Sequence, residues 1–220
     1  MGHDWGAPTA WGAAQMYPDT MTAVGVLSVP FSPRADAPPL DTMKAVFKDM
    51  FFYQLYFQEV GVAEAELEGD VRTFLRKFIY MGSGEGDATA MATKGKDEDL
   101  LTGLENPDVM PAWLTDEDLD FYVNEFENSG LFGPLSYYRN HNQTWEKMAD
   151  VRQTVTQPAM FVAGEKDGVI AMSGDALEKM PERVTDLRIC ELLPGIGHWT
   201  QQEAPEAVND AITRFLRMLD

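Results

Sequence analysis

The five residues Gly2-His3-Asp4-Trp5-Gly6 decide how this sequence folds. A reactive side chain in the order Gly-x-Asp-x-Gly is typical of a sharp turn from a strand into a helix. Only small flanking residues fit such a turn, because the backbone there is strained and crowded. Residues 7–17 have the composition of the helix that should follow, with Pro8 tolerated in its first turn. The pattern therefore predicts Asp4 at the tip of a turn, between a short strand (Met1–His3) and this helix.

An aspartate in this position has two interpretations. A carboxylate nucleophile suits attack on an sp³ carbon, which gives an ester that water must then cleave. Alternatively, Asp4 serves as the N-cap of the helix that follows it, a role in which aspartate is common. The five residues alone do not decide between the two.

Two more polar residues follow strand-like apolar runs further along the chain. Asp167 comes after Met160–Ala163 in a Glu-Lys-Asp-Gly turn, and His198 follows residues 187–193 in the segment Gly-Ile-Gly-His-Trp. Taken singly, Asp167 is an ordinary turn residue, and a loop histidine is more often structural. Together with Asp4 they give the order nucleophile, acid, histidine, which is that of the α/β-hydrolases. Each follows a strand at its carboxyl end, where open α/β sheets bind ligands.

The remaining pattern indicates an α/β core with a helical insertion. Further strands are expected at 23–28, 159–163 and 187–193, so the sheet should keep three clear strands, the first without its neighbour. Helices are expected at 42–57, from Thr115 to about 128, at 172–180 and at 203–219. The predicted fold is a partial α/β-hydrolase core at 1–30 and 148–220, with a helical cap inserted at 31–147.

Composition narrows the classes of function. The 36 acidic residues exceed the 17 basic ones and give a net charge of −19, which repels nucleic acid and anionic membrane surfaces. No apolar run reaches the roughly 18 residues of a membrane span, and the first residues do not form a secretory signal. The expected location is the cytoplasm. Cys190 is the single cysteine, so no disulfide forms within one chain, and we expect it in the core.

Several segments resemble soluble epoxide hydrolases, from one end of the chain to the other and in that family's order. They are Gly-His-Asp-Trp-Gly at 2–6, the segment Tyr-Gln-Leu-Tyr-Phe-Gln-Glu-Val-Gly-Val-Ala-Glu-Ala-Glu-Leu-Glu from Tyr53, Gly-Pro-Leu-Ser-Tyr-Tyr-Arg-Asn from Gly133, Glu-Lys-Asp from Glu165, and Gly-His-Trp-Thr-Gln from Gly197. The resemblance implies that Asp4 is the nucleophile, His198 the base and Asp167 its orienting acid. It also implies that the cap residues Tyr53 and Tyr138 hold the epoxide oxygen.

These roles agree with the chemistry of ring opening. Opening the epoxide ring produces an alkoxide. Tyrosine, with a pKa near 10, can donate a proton or a hydrogen bond to that oxygen. The backbone amide of Trp5 should help to stabilise the oxyanion formed when the ester is cleaved. The expected partners are a small apolar epoxide and water, with no metal and no organic cofactor. His3 and His141 lack metal-ligand spacing, and Tyr56 and Tyr137 are expected to pack or to line the cleft.

The sequence departs from the family in what precedes Asp4. A His-Gly-x-Pro loop, which in the family supplies the second oxyanion donor, is absent from the three residues before it. The expectation is therefore a chain truncated just before its nucleophile, whose exposed sheet edge allows self-association. Two alternatives remain open: a haloalkane dehalogenase with the same aspartate nucleophile, and an inactive remnant that serves as a binding or dimerising module.

Overall fold

The computed structural model describes all 220 residues, and the chain divides into two compact units. The first unit contains Met1–Arg34 and Ala149–Asp220, and the second contains Ala35–Met148. The strands are β1 (Gly2–His3), β2 (Val24–Leu27), β3 (Ala159–Gly164) and β4 (Leu187–Leu193). The helices are α1 (Gly6–Met16), α2 (Pro39–Val46), α3 (Tyr53–Tyr56), α4 (Val62–Leu67), α5 (Val71–Gly82), α6 (Asp116–Ser129), α7 (Phe132–Arg139), α8 (His141–Lys147), α9 (Gly168–Met172), α10 (Ala176–Arg183), α11 (Thr200–Glu203) and α12 (Pro205–Arg217).

The first unit is built on a parallel sheet with the strand order β1-β2-β3-β4. All six residues of β3 are buried, as expected for a central parallel strand that is covered on both faces. Phe161 packs in one apolar cluster with Trp11 of α1, and Met160 packs in a second cluster with Phe215 of α12. Alternate side chains of one strand therefore anchor helices on opposite faces. The predicted α/β class is confirmed.

The prediction that β2 has lost its neighbour is wrong, because the sheet has four strands instead of three. Gly2 pairs with Val26 and His3 pairs with Leu27, in parallel register. Two residues are enough to form this strand. The backbone that leads into the turn at Asp4 is extended, so it can form hydrogen bonds with β2. On its other side, β1 has no strand partner within the sheet.

The second unit is helical and has its own apolar interior. Helix α5 turns Phe74, Leu75 and Ile79 inward, and α6 packs against it. The helix predicted from Thr115 is α6, and Thr115 is its N-cap: the Thr115 hydroxyl accepts from the amide of Asp118, whose carboxylate accepts from the amide of Thr115.

The single helix predicted for residues 42–57 is wrong. Helix α2 ends after Val46, and a new turn of helix, α3, begins only at Tyr53. Between them the backbone is held by a loop: Met50 forms an antiparallel bridge with Gly95, and the Phe51 amide donates to the Lys94 carbonyl at 3.1 Å. These bonds are made between residues far apart in sequence, so local apolar periodicity could not reveal the break.

Two smaller predictions for the first unit are also wrong. The helix expected at 172–180 is divided into α9 and α10, because Gly174 between them has a φ of 58°, which does not continue a helix. Cys190 is exposed instead of lying in the core. It lies on the edge strand β4, where Ile189 turns inward and the alternating side chain points to solvent. None of the helices is long and apolar enough to cross a membrane.

Candidate active site

Asp4 lies at the tip of the turn between β1 and α1, with a φ of 48°. This left-handed conformation is uncommon for a residue with a side chain, and such strained positions cluster at functional sites. A Cβ on Gly2 would stand 1.9 Å from the carbonyl oxygen of Gly6, so only glycine fits there. A Cβ on Gly6 would meet nothing within 4 Å. The expected crowding is therefore found at the first glycine of the motif and not at the second.

The structure brings Asp4, His198 and Asp167 together. His198 Nε2 is 3.2 Å from Asp4 Oδ2, and its Nδ1 is 3.0 Å from Asp167 Oδ2. Asp167 is 2% exposed and His198 is 9% exposed, whereas the Asp4 side chain is 38% exposed. A buried histidine thus connects a buried carboxylate to one that is partly exposed to solvent.

Asp167 makes two sets of contacts with the same carboxylate. It follows β3 and is the N-cap of α9, where Oδ1 accepts from the Val169 amide at 2.8 Å. The same carboxylate accepts from His198 Nδ1. The N-cap hydrogen bond to Val169 holds the Asp167 carboxylate in place, and the carboxylate in turn holds the direction of the imidazole ring.

Three further residues hold the backbone at His198, and sequence reasoning did not assign this task to them. The His198 carbonyl accepts from Ser28 Oγ at 3.1 Å and from His3 Nε2 at 2.8 Å. Ser28 is fully buried with a φ of 71°, a second left-handed residue beside the site. Glu203 accepts from the amides of Gly197 and Trp199, both at 3.0 Å. The loop is thereby held on both sides of the histidine.

The charges of the site are set by competition between burial and hydrogen bonding. Burial disfavours a charged His198, but its hydrogen bonds to Asp167 and Asp4 outweigh burial and raise its pKa to about 9. Burial also disfavours a charged Asp4, yet the bond and charge of His198 and a hydrogen bond from the Trp5 amide lower the pKa of Asp4. At neutral pH His198 is therefore an imidazolium. Burial and the charge of His198 lower the pKa of His3.

The two tyrosines of the predicted site lie together in the second unit. The rings of Tyr53 and Tyr138 meet edge to face, with centroids 5.7 Å apart and an interplanar angle of 80°. Gln54 Nε2 donates to the Tyr53 hydroxyl at 3.0 Å. Tyr56 instead donates its hydroxyl proton to Glu66 at 2.8 Å, and burial together with this carboxylate raises its pKa. Tyr137 is 54% exposed.

No group of three or more histidine, cysteine or acidic side chains is arranged to hold a metal ion. Of the histidines considered in the sequence, His3 contacts His198, with ring centroids 4.7 Å apart. His141 lies near Tyr138, with ring centroids 6.5 Å apart, and burial lowers its pKa.

The parallel sheet and the strand-to-helix turn at Asp4 define an α/β-hydrolase. No protein-family model matches the chain. Epoxide hydrolase A of Mycobacterium tuberculosis is 39% identical over 224 residues, an alignment that covers 100% of this chain and 69% of that protein. This chain belongs to the epoxide hydrolase family.

Solved structures give the same relationship. An epoxide hydrolase from an endophytic Streptomyces superimposes with a TM-score of 0.92 at 40% identity, over 99% of this chain and 67% of that one. Epoxide hydrolase A from Mycobacterium thermoresistibile superimposes with a TM-score of 0.89 at 41% identity, over 98% of this chain and 68% of that one. The resemblance read from the sequence is confirmed, and the dehalogenase alternative is not favoured.

Proposed function

We propose that this chain hydrolyses epoxides to vicinal diols through an ester on Asp4. The observation that carries the proposal is the position of His198, whose Nε2 lies 3.2 Å from Asp4 Oδ2 while Asp167 holds Nδ1. A carboxylate at a strained turn can be alkylated, and a histidine beside it can then activate the water that hydrolyses the ester. Relatives named epoxide hydrolases support the same chemistry.

In the first step, an Asp4 oxygen attacks one ring carbon, and the bond from that carbon to the epoxide oxygen breaks. The leaving oxygen gains negative charge and takes a proton from a tyrosine. Tyr53 and Tyr138 are the proposed donors, since their rings lie side by side in the second unit. Two fixed donors would both polarise the ring and orient it.

In the second step, His198 removes a proton from water, and the resulting hydroxide attacks the Asp4 carbonyl carbon. The oxyanion forms beside the Trp5 amide and collapses, and the proton of the added hydroxyl passes to the departing oxygen, which releases the diol and the Asp4 carboxylate. The proton taken up by His198 returns, through solvent, to the tyrosinate that the first step left. His198 is protonated in the free site, so it must lose a proton before it can act as a base. Alkylation itself favours this loss, because the ester removes one of the two carboxylate charges that raise the pKa of His198.

The proposal assigns separate tasks to the parts of the chain. Residues 1–30 and 148–220 form the core that carries Asp4, Asp167 and His198, and residues 31–147 form the cap that carries the tyrosines. The aromatic side chains near Tyr53 favour apolar epoxides as substrates, with water as the second reactant.

Product analysis tests the function directly. Incubation with a small aryl epoxide such as styrene oxide should give the vicinal diol, and incubation with a haloalkane should release no halide. Asp4→Ala should abolish diol formation, because it removes the carboxylate that forms the ester beside His198. Asp210→Ala is the control, since it removes an exposed carboxylate of a surface ion pair and should leave the rate unchanged. Halide release without diol formation would support the dehalogenase, and neither product would support the inactive module.

We also propose that the 220-residue chain by itself associates through the free edge of β1. The edge leaves backbone groups of a parallel strand without a strand partner, which favours pairing with another chain. Sedimentation velocity should show a mass that grows over a tenfold range of concentration, and a single monomeric species over that range would contradict the idea.

A cytoplasmic location remains a proposal that cell fractionation would test.

A further inference from the structure

The two tyrosines are carried by elements too short to be stable alone. Helix α3 has four residues and α7 has eight. Isolated helices of fewer than about 12 residues are marginal in water, so tertiary contacts must fix the position of each tyrosine. Edge-to-face contacts supply part of the restraint, since the Tyr138 ring lies 4.9 Å from Phe57 and 5.7 Å from Tyr53. Ring contacts tolerate sliding and rotation, so they do not by themselves fix a hydroxyl.

Polar contacts of Arg139, the residue after Tyr138, supply a further restraint. Arg139 Nε donates to the Phe57 carbonyl at 2.8 Å, at the carboxyl end of α3. Its Nη2 forms an ion pair with Glu64 Oε1 at 2.7 Å, and both side chains are nearly buried, 12% and 11% exposed. The bonds of this one guanidinium thus run from α7 to α3 and to α4.

Glu64 is itself held in place, and Gln58 adds a second link between the segments of the two tyrosines. Glu64 Oε2 accepts from the Gly61 amide at 2.8 Å, which closes the start of α4. Gln58 Nε2 donates to the Tyr138 carbonyl at 3.1 Å and to the Gln54 carbonyl at 2.6 Å. The chain segments that carry the two tyrosines are therefore joined in both directions: Arg139 reaches the Tyr53 segment, and Gln58 reaches the Tyr138 segment.

We infer that Arg139 and Glu64 are positioning residues that set the spacing and direction of the Tyr53 and Tyr138 hydroxyls. A buried ion pair adds little net stability compared with apolar residues of the same size, so stability alone does not explain its presence. A planar guanidinium can hold two partners at a fixed angle, which a lysine cannot do. The inference rests on the proposed function, because it assumes that both hydroxyls act on the epoxide oxygen.

The rates of the two chemical steps distinguish a positioning role from a general loss of structure. Only alkylation of Asp4 uses the tyrosines, whereas ester hydrolysis uses His198 and water. Arg139→Lys should therefore slow alkylation by about 10- to 100-fold, the effect of displacing a reacting group by up to 1 Å. The rate of ester hydrolysis should stay within about twofold of the unaltered protein, because the hydrolytic groups lie in the other unit.

Stopped-flow tryptophan fluorescence and rapid-quench mass spectrometry on the unaltered protein and on each variant would give both rates. Glu64→Gln is the second variant, since it keeps the size of the side chain and removes the charge that holds Arg139. Arg72→Lys is the matched control, because Arg72 forms an exposed ion pair with Asp120 in the same unit. The control should change neither rate.

Slowed alkylation with unchanged hydrolysis in either folded variant would support the inference. Equal slowing of both steps, no slowing of either, or loss of cooperative thermal unfolding in both variants would overturn it. Tyr53→Phe and Tyr138→Phe are measured in the same assay. If they slow alkylation and Arg139→Lys does not, only the positioning inference fails. If they leave alkylation unchanged, the proposed role of the tyrosines fails, and the inference fails with it.

Discussion

His198→Gln should leave a protein that forms the ester on Asp4 and does not release it. Glutamine can occupy the space of the imidazole but cannot take a proton from water, so only the second step should fail. General bases contribute roughly 10²- to 10⁴-fold to such steps, and turnover should fall by about that factor. Intact-mass spectrometry after mixing with epoxide should show one added substrate mass, and peptide mapping should place it on Asp4.

Two observations would contradict this assignment. An adduct on another residue would remove Asp4 from the mechanism, and full turnover by the variant would remove His198. His141→Gln is the control, because it makes the same substitution at a histidine of the other unit. It should release product without accumulating the ester.

The pH dependence of the unaltered protein gives a second test of His198. Ester hydrolysis needs the neutral imidazole, so its rate should rise with pH as His198 loses its proton. The pKa is about 9 in the free site, where both carboxylates are charged. In the ester one of these charges is absent, so the midpoint of the rise should lie below 9. A hydrolysis rate that falls with pH between 6 and 9 would contradict the role of His198 as the base.

The double variant Tyr53→Phe, Tyr138→Phe should lose nearly all alkylation. Each hydroxyl is proposed to donate to the oxygen that becomes charged, and removing one such donor typically costs about 10²- to 10³-fold. Phenylalanine keeps the ring contacts between these residues, which are made without the hydroxyl oxygens. Single-turnover kinetics should show alkylation slowed at least 10³-fold, with ester hydrolysis unaffected.

Tyr137→Phe is the control for this experiment. Tyr137 is adjacent to Tyr138 in the same helix and is 54% exposed, so losing its hydroxyl should change neither rate. If the double variant alkylates Asp4 at the normal rate, another group must protonate the leaving oxygen. The cap tyrosines would then serve only in packing.

Much of the candidate site could be predicted because its groups obey local rules. Asp4 stands in a five-residue motif with a defined backbone geometry, and Asp167 and His198 each follow a strand whose apolar run is visible in the sequence. The order of the three residues connected them before any distance was known. Tyr53 and Tyr138 came only from resemblance, because an aromatic side chain in a helix looks the same whether it packs or donates a proton.

Other groups at the site had no signal in the sequence. Ser28 looks like any serine after a strand, yet its left-handed backbone directs its hydroxyl to the His198 carbonyl. Glu203 resembles a surface helix residue, yet it accepts from amides on both sides of His198. Both side chains bond to backbone atoms of the loop, which are the same in every residue, so the identity of the partner residues carries no record of the contact.

By itself, the sequence determined the parallel α/β class and the strand-to-helix turn at Asp4, because these depend on periodicity and on residue identity at short range. The tertiary structure decided the fourth strand, the division of the helix predicted at 42–57, and the bonds of Arg139. Each of these depends on contacts between residues far apart in the chain: Gly2 with Val26, Met50 with Gly95, and Arg139 with Glu64. Such contacts form only where the fold brings the partners together, so no local window of sequence contains them.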